Sequence, residues 1–425
     1  MNQFFKNKSK IVEFCFFLVI AVLPFTMILS PISIGLLLGV FLIFGDKSDL
    51  KEVLLRNKVL ILITVYYFFQ IISMFYSSDF GISYKRIETQ IPLLIIPILF
   101  ALIKLDLKQI YKAKTVFIIA CVIFCIIALI TLGYNLIINY EHRLNYNFVQ
   151  RSMYHFHYPY DVMYINVANV FLLFGGVIKK YKTPITLLFL CFIVLSGTRM
   201  GVFTYLLVTF IYGIRNFKKI LNIQTILILL GVMALTVLLI NTSQYVNDKF
   251  YDSLSKLGLN TKTYVSDIGE EYHNITLRQK LWNTSYEAFK EKEVLGYGTK
   301  TSKIILNDLY NKKGYKNLKD LNSHNQYLTT ALELGFVGLL LLILILIISF
   351  KMVYRTKNLT QLLVVLVIML AFFTESVLVR QKGVVFFSIF ISLLIIESTL
   401  LFKNNISGVS GNKLDIKTNH QNNNN

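Results

Sequence analysis

The sequence is poor in charge. Only 16% of its 425 residues are Asp, Glu, Lys or Arg, where an ordinary soluble domain carries about a quarter, and that shortage excludes a soluble enzyme. Acidic residues are the scarcer kind, 23 against 43 Lys and Arg, for a formal net charge of +20. In a soluble protein such a balance suggests nucleic acid. Here the cations sit in short clusters between apolar runs and report topology, so no nucleic-acid partner is expected. The four cysteines, Cys15, Cys121, Cys125 and Cys191, all lie inside apolar runs, which excludes a disulfide framework and a thiolate zinc site. The first apolar run lacks a small-residue cleavage site, and reads as a span instead of a removed signal peptide. An internal repeat of the kind many transporters carry is also missing.

What the sequence does have is hydrophobic length: 55% of it is hydrophobic, with a mean hydropathy of +0.60. A membrane-crossing helix needs about 20 mostly apolar residues, and about twelve segments qualify. They lie near 11–29, 31–45, 58–76, 90–104, 115–138, 160–178, 184–197, 200–214, 221–241, 326–350, 360–378 and 383–402. The predicted fold is an all-α polytopic membrane protein. Helices 1–9 occupy 1–241, a long outward loop with short helices covers 242–325, helices 10–12 occupy 326–402, and a disordered cytoplasmic tail covers 403–425. With both termini inside, clusters such as Lys6, Lys8 and Lys10, or Lys179, Lys180 and Lys182, fall on the cytoplasmic side, as the positive-inside rule requires.

The arginines divide differently. Arg56, Arg215 and Arg355 fall inside, whereas Arg86, Arg143, Arg151, Arg199, Arg278 and Arg380 fall outside, most of them in short loops where topology disfavours them. Arginine offers a planar, permanently charged fork suited to phosphate and carboxylate oxygens. An anionic, phosphate-bearing ligand at the outer face is the inference, against snorkelling into headgroups or pairing with Glu88, Glu141 or Glu375.

Several motifs sharpen it. Ser196-Gly197-Thr198-Arg199-Met200-Gly201 makes a tight hinge with one arginine at the start of the next helix. Thr276-Leu277-Arg278-Gln279 reads as a capping box opening a short amphipathic helix in which Arg278, Trp282 and Ser285 share a face, so Trp282 buttresses the arginine. In Leu295-Gly296-Tyr297-Gly298 two glycines permit a turn or close backbone approach. His324 and Asn325 stand at a helix N-terminus, where free amides favour anions and an imidazole can take a proton; a capping role is the plainer alternative. Glu333, further into that helix, needs a partner, and an outer-face arginine is the natural one. Glu375 and Arg380 read as a local ion pair. The pair His155 and His157 has no accompanying carboxylate or cysteine cluster, so no metal site is expected.

Taken together, the Ser-Gly-Thr-Arg-Met-Gly turn, Arg278-x-x-Leu281-Trp282, Gly296-Tyr297-Gly298, His324-Asn325-x-Tyr327-Leu328 and Glu333-x-Gly335-x-x-Gly338 resemble, in order and spacing, the O-antigen ligase and polymerase superfamily of bacterial envelope-glycan enzymes. The resemblance implies an inverting glycosyltransferase of GT-C type that uses undecaprenyl-diphosphate-linked glycan as donor and a lipid A-core sugar or another glycan as acceptor. It also implies no metal, nucleotide or other cofactor, and an active site at the periplasmic face of the bacterial inner membrane. By motif, Arg199 and Arg278 hold the diphosphate and His324 serves the acceptor hydroxyl. Arg86, Arg151 and Arg380 join the diphosphate site on the arginine distribution alone, with Asn325, Trp282, Glu333, Tyr297 and Glu375 in support. The alternatives are a polymerase joining lipid-linked repeats and, from another class, a polytopic transporter or flippase.

Overall fold

A computed structural model of the chain describes residues 2–25, 28–45, 58–139, 152–153, 158–216 and 274–406. The predicted span at 221–241, the first part of the long loop, Arg143, Arg151, His155, His157 and the tail beyond residue 406 lie outside the described residues. Among the described residues the regular elements are all helical. They are α1 (Asn2–Val22), α2 (Leu29–Phe44), α3 (Lys58–Met74), α4 (Phe80–Gln90), α5 (Pro92–Leu102), α6 (Leu107–Ile138), α7 (Tyr158–Phe174), α8 (Lys182–Leu195), α9 (Arg199–Arg215), α10 (Asn274–Glu291), α11 (Ser302–Lys312), α12 (Gln326–Arg355), α13 (Leu359–Thr374) and α14 (Gln381–Ile406).

Every predicted span within the described residues overlaps one of these helices. Three of them, α6, α12 and residues 381–403 of α14, are long and apolar enough to cross a membrane by themselves. The protein is thus a helical membrane protein with three clear spans among the described residues, and the count of twelve rests on hydropathy. The predicted span at 90–104 shows why the two differ. Pro92 opens α5, which runs through Pro97 and ends at Leu102, a helix of 11 residues about 16 Å long, roughly half a hydrocarbon core.

Two helices form the centre. Nearly every side chain of α7 from Tyr160 to Leu173 is buried, and so is the stretch of α14 from Val384 to Ile395. Lipid tails are as apolar as leucine, so helices associate in a bilayer through close packing and polar contacts. Rings supply the packing: Phe390 of α14 lies 4.7 Å from Phe117 of α6 and 5.8 Å from Phe171 of α7, and Tyr164 stacks on Phe386 at 4.9 Å. Buried ion pairs supply the polar contacts. Lys382 Nζ donates to Asp161 Oδ1 at 2.9 Å, joining α14 to α7 near their first turns. Towards the opposite end, Lys114 Nζ of α6 donates to both oxygens of Glu397, at 2.6 and 2.7 Å.

Helix α12 is broken, and a loop is spliced into the break. Gly335 takes φ +64° and ψ −163°, outside helical space, which frees two carbonyls above it and two amides below. The segment after α10 takes up all four. Tyr297 and Gly298 amides donate to the Leu332 and Glu333 carbonyls, each at 2.9 Å, while Phe336 and Val337 amides donate to Glu293 at 2.6 Å and Val294 at 3.3 Å. A Cβ on Gly335 would stand 2.2 Å from the Val294 carbonyl oxygen, and one on Gly296 would stand 2.6 Å from the Gly335 nitrogen. The two glycine motifs are therefore two sides of one junction. Above it, Leu281 and Ala288 of α10 pack with Leu306, Tyr310, Leu318 and Leu332 into a small second core, which seats α10 and α11 on α12.

Candidate active site

Arg199 opens α9. The turn before it is set locally: Ser196 Oγ donates to the Ile193 carbonyl at 2.6 Å, and Gly197 adopts φ +66°, which costs a residue without Cβ nothing. A Cβ on Gly201 would meet Val162 Cγ1 at 2.2 Å, so α9 lies directly on α7, and Asn166 Nδ2 donates to the Gly201 carbonyl at 3.2 Å. Thr198 gives no side-chain cap. The amides of the first turn and the positive end of the helix dipole thus face what lies beyond.

What lies beyond is a cavity of about 420 Å³, and Arg278, arriving on α10, lines it with Arg199. The helix carrying Arg278 runs from Asn274, so the expected capping box at Thr276 is not its start; Thr276 is already helical. Below the arginines the walls are apolar, with Val162 and Met163 from α7 and Val367, Leu370 and Ala371 from α13, and Glu375 stands at the rim of α13. Burial lowers the Arg278 pKa, Glu375 opposes that shift, and the nearby Arg199 adds to it. The guanidinium stays charged in any case. A half-buried cation, Arg278, an exposed one, Arg199, and a helix N-terminus line one opening, an arrangement suited to an anion.

His324 meets this cavity through Glu375. It lies just ahead of α12 with φ +42°, a conformation that histidine tolerates better than most residues, and its amide donates to Asn322 Oδ1 at 2.9 Å. Asn325 caps α12, accepting from the Leu328 amide at 3.1 Å, as the plainer alternative for this motif held. That cap leaves the His324 ring free to reach Glu375, with Nδ1 3.0 Å from Oε2. Burial raises the Glu375 pKa, but the hydrogen bond and charge of His324, the Ser376 amide and Arg278 together hold it below the usual carboxylate range. An ionised carboxylate only accepts, so Nδ1 carries a proton, and the neutral tautomer selected by that contact has its lone pair on Nε2.

The loop bearing Glu375 is clamped from all sides. Gln326 Oε1 accepts from the Leu378 amide at 2.7 Å, Gln90 Nε2 donates to the Leu378 carbonyl at 3.0 Å, and Thr329 and Ser376 hydroxyls meet at 2.8 Å. Arg86 belongs to this clamp and not to the cavity: it donates to the Val379 carbonyl at 2.6 Å and to Glu333 Oε1 at 3.1 Å, deeply buried. It is thus paired with a carboxylate distant in sequence and lies outside the lining shared by Arg199 and Arg278. Glu333 finds the outer-face arginine its burial demanded, and Ser302 Oγ also donates to it at 2.6 Å. Arg380 is exposed on the same loop, outside the cavity lining. Glu375 turns to His324, while Lys382 turns to Asp161, a pair absent from the sequence reading even though a lone carboxylate inside an apolar run was the available signal. Trp282 packs edge-on against Phe373 at 5.2 Å, fixing α10 to α13. Tyr297 contributes its amide to the junction, and its hydroxyl donates to Glu291 at 2.6 Å.

A bundle of membrane helices with an anion-receptive cavity, apolar below and flanked by a carboxylate-held imidazole, suits a membrane enzyme acting on amphiphilic anions. Residues 184–343 match a family model described as O-antigen ligase. That match supports a resemblance to the O-antigen ligase superfamily over this segment of the chain. The matched segment runs from α8 into α12 and holds Arg199, Arg278 and His324, though not Glu375. No curated protein matches the chain.

Proposed function

We propose that this protein transfers a glycan from undecaprenyl diphosphate to a sugar hydroxyl of lipid A-core at the periplasmic face of the inner membrane, with inversion at the anomeric carbon. The observation that carries the proposal is the shared cavity of Arg199 and Arg278, reached by His324 through Glu375. The donor has a diphosphate head and a hydrocarbon tail. The head matches the two arginines and the first turn of α9; the apolar wall of α7 and α13 suits the first isoprene units.

In the reaction the acceptor oxygen bonds to the anomeric carbon as the bond from that carbon to the diphosphate oxygen breaks. The hydroxyl proton passes to His324 Nε2, and the electron pair leaves on the diphosphate. Both arginines stabilise the charge that develops there, where fixed donors act most strongly. Positioning supplies much of the rest, because the leaving group is already good.

The test is envelope-glycan profiling in a strain lacking this gene, complemented at matched protein levels by wild type, Arg278→Ala or His324→Ala. Core stripped of polymer while long undecaprenyl-linked chains accumulate supports the ligase. Single repeats left on core would assign a polymerase instead. Normal profiles from both variants would reject the site.

A further inference from the structure

The segment between α10 and α11 is built to lie in the membrane boundary. Its carbonyls at Glu293 and Val294 and its amides at Tyr297 and Gly298 are all engaged by the break in α12. Backbone satisfied in this way does not need water, which is the condition for non-helical chain at membrane depth. The break also sets the depth. The apolar run below it, 336–350, is about 15 residues or about 22 Å of helix in a hydrocarbon core of roughly 30 Å, so with Lys351 at the inner boundary Gly335 stands in the outer part of the hydrocarbon.

The side chains at that level are apolar and face outward: Val294 is 66% exposed and Leu295 47%. They continue two exposed apolar stripes, one running from Ile72 of α3 to Phe75 just after it and one on α12 beginning with Phe336 and Leu340. The Tyr76 hydroxyl at the top of α3 donates to the Leu295 carbonyl at 2.8 Å, closing the gap between the stripes. Beside them Lys292 lies over the Tyr297 ring at 4.9 Å, an amphipathic pairing suited to headgroups.

We infer that Val294 and Leu295 insert into the acyl boundary of the bilayer on the cavity side, so that lipid hydrocarbon anchors the lobe of α10 and α11. The anchor follows α10 directly, and lipid then fixes the height of Arg278. This rests on the protein being membrane-embedded and not on the proposed reaction.

The chain has one Trp, so Trp282→Phe provides a dark background for Val294→Trp and, separately, Leu295→Trp. Each full-length variant is reconstituted into phosphatidylcholine vesicles with plain acyl chains or chains brominated near the glycerol. Both tryptophans are expected to emit blue-shifted and to lose fluorescence in the brominated vesicles, whereas Asp308→Trp, on the exposed face of α11, does neither. Emission at the Asp308→Trp wavelength from both positions, without loss in brominated vesicles, overturns the inference. If the Trp282→Phe background does not fold, a nitroxide at residue 294 gives the same decision. Relaxation dominated by oxygen supports insertion, and relaxation dominated by a soluble nickel chelate overturns it.

Discussion

The proposed transfer turns on which nitrogen of His324 holds the proton. Glu375 accepts at Nδ1, so Nε2 is the basic atom. Glu375→Gln removes that instruction, because an amide offers a donor as readily as an acceptor. The expected result in a reconstituted transfer assay is a fall in kcat on the order of 10²-fold or more with little change in donor KM; an unchanged kcat removes His324 from proton transfer. The same carboxylate has a pH signature. Its folded pKa lies below the ordinary 4.5, so its stabilising contribution is complete above that value and is lost as pH falls through the lower folded one. The melting-temperature gap between wild type and Glu375→Gln is expected at neutral pH and should close on acidification below about 4.5. Arg278 separates charge from shape. Arg278→Ala is expected to cost roughly 10²- to 10³-fold in rate, and Arg278→Lys to recover little of it, since a point charge does not replace a planar fork.

Helices have requirements that single residues do not reveal. Gly335→Ala must hold φ +64° with a Cβ 2.2 Å from the Val294 carbonyl, and unseating the loop also orphans the hydrogen bonds of the junction. A loss of about 1–3 kcal/mol from backbone strain alone is expected, read as a lowered melting temperature. Gly133→Ala in α6, where an added Cβ meets nothing within 4 Å, should be neutral or stabilising. The contrast explains what the sequence revealed. The Asn325 cap and the arginine at the head of α9 follow local rules and were legible. The purpose of Gly296-Tyr297-Gly298 was not, because the partner of that turn is another helix's broken backbone. Arg86 was assigned to ligand for a similar reason: its carboxylate lies 247 residues away, and side-of-membrane bookkeeping does not pair distant charges. Arg199, Arg278 and His324 were legible as a set because each sits in a motif of its own. The link from Glu375 to His324 was not legible, because the two lie 51 residues apart in sequence.

At the scale of the whole molecule, three buried ion pairs among the described residues tie together helices far apart in sequence: α4 to α12, α7 to α14 and α6 to α14. Charges in such surroundings are costly unless paired, so each pair specifies which helices are neighbours. The pair of Asp161 and Lys382 bears most directly on the cavity. Asp161 adjoins Tyr160 and Val162 in the wall, and the Lys382 carbonyl accepts from Tyr164 at 2.8 Å, so the pair fixes the loop of Glu375 against α7. Lys382→Met leaves Asp161 unpaired among apolar groups and should cost about 3–5 kcal/mol. Asp161→Leu does the converse to the lysine. Both changes together remove the buried charges altogether, and such replacements are often neutral or stabilising. The double variant is therefore expected to melt near wild type while each single variant melts well below it. Transfer activity in the double variant then reports geometry alone. If activity returns with stability, the pair acts only by holding α7 and α14 in register; if stability returns and activity does not, the charges themselves contribute to the cavity's field.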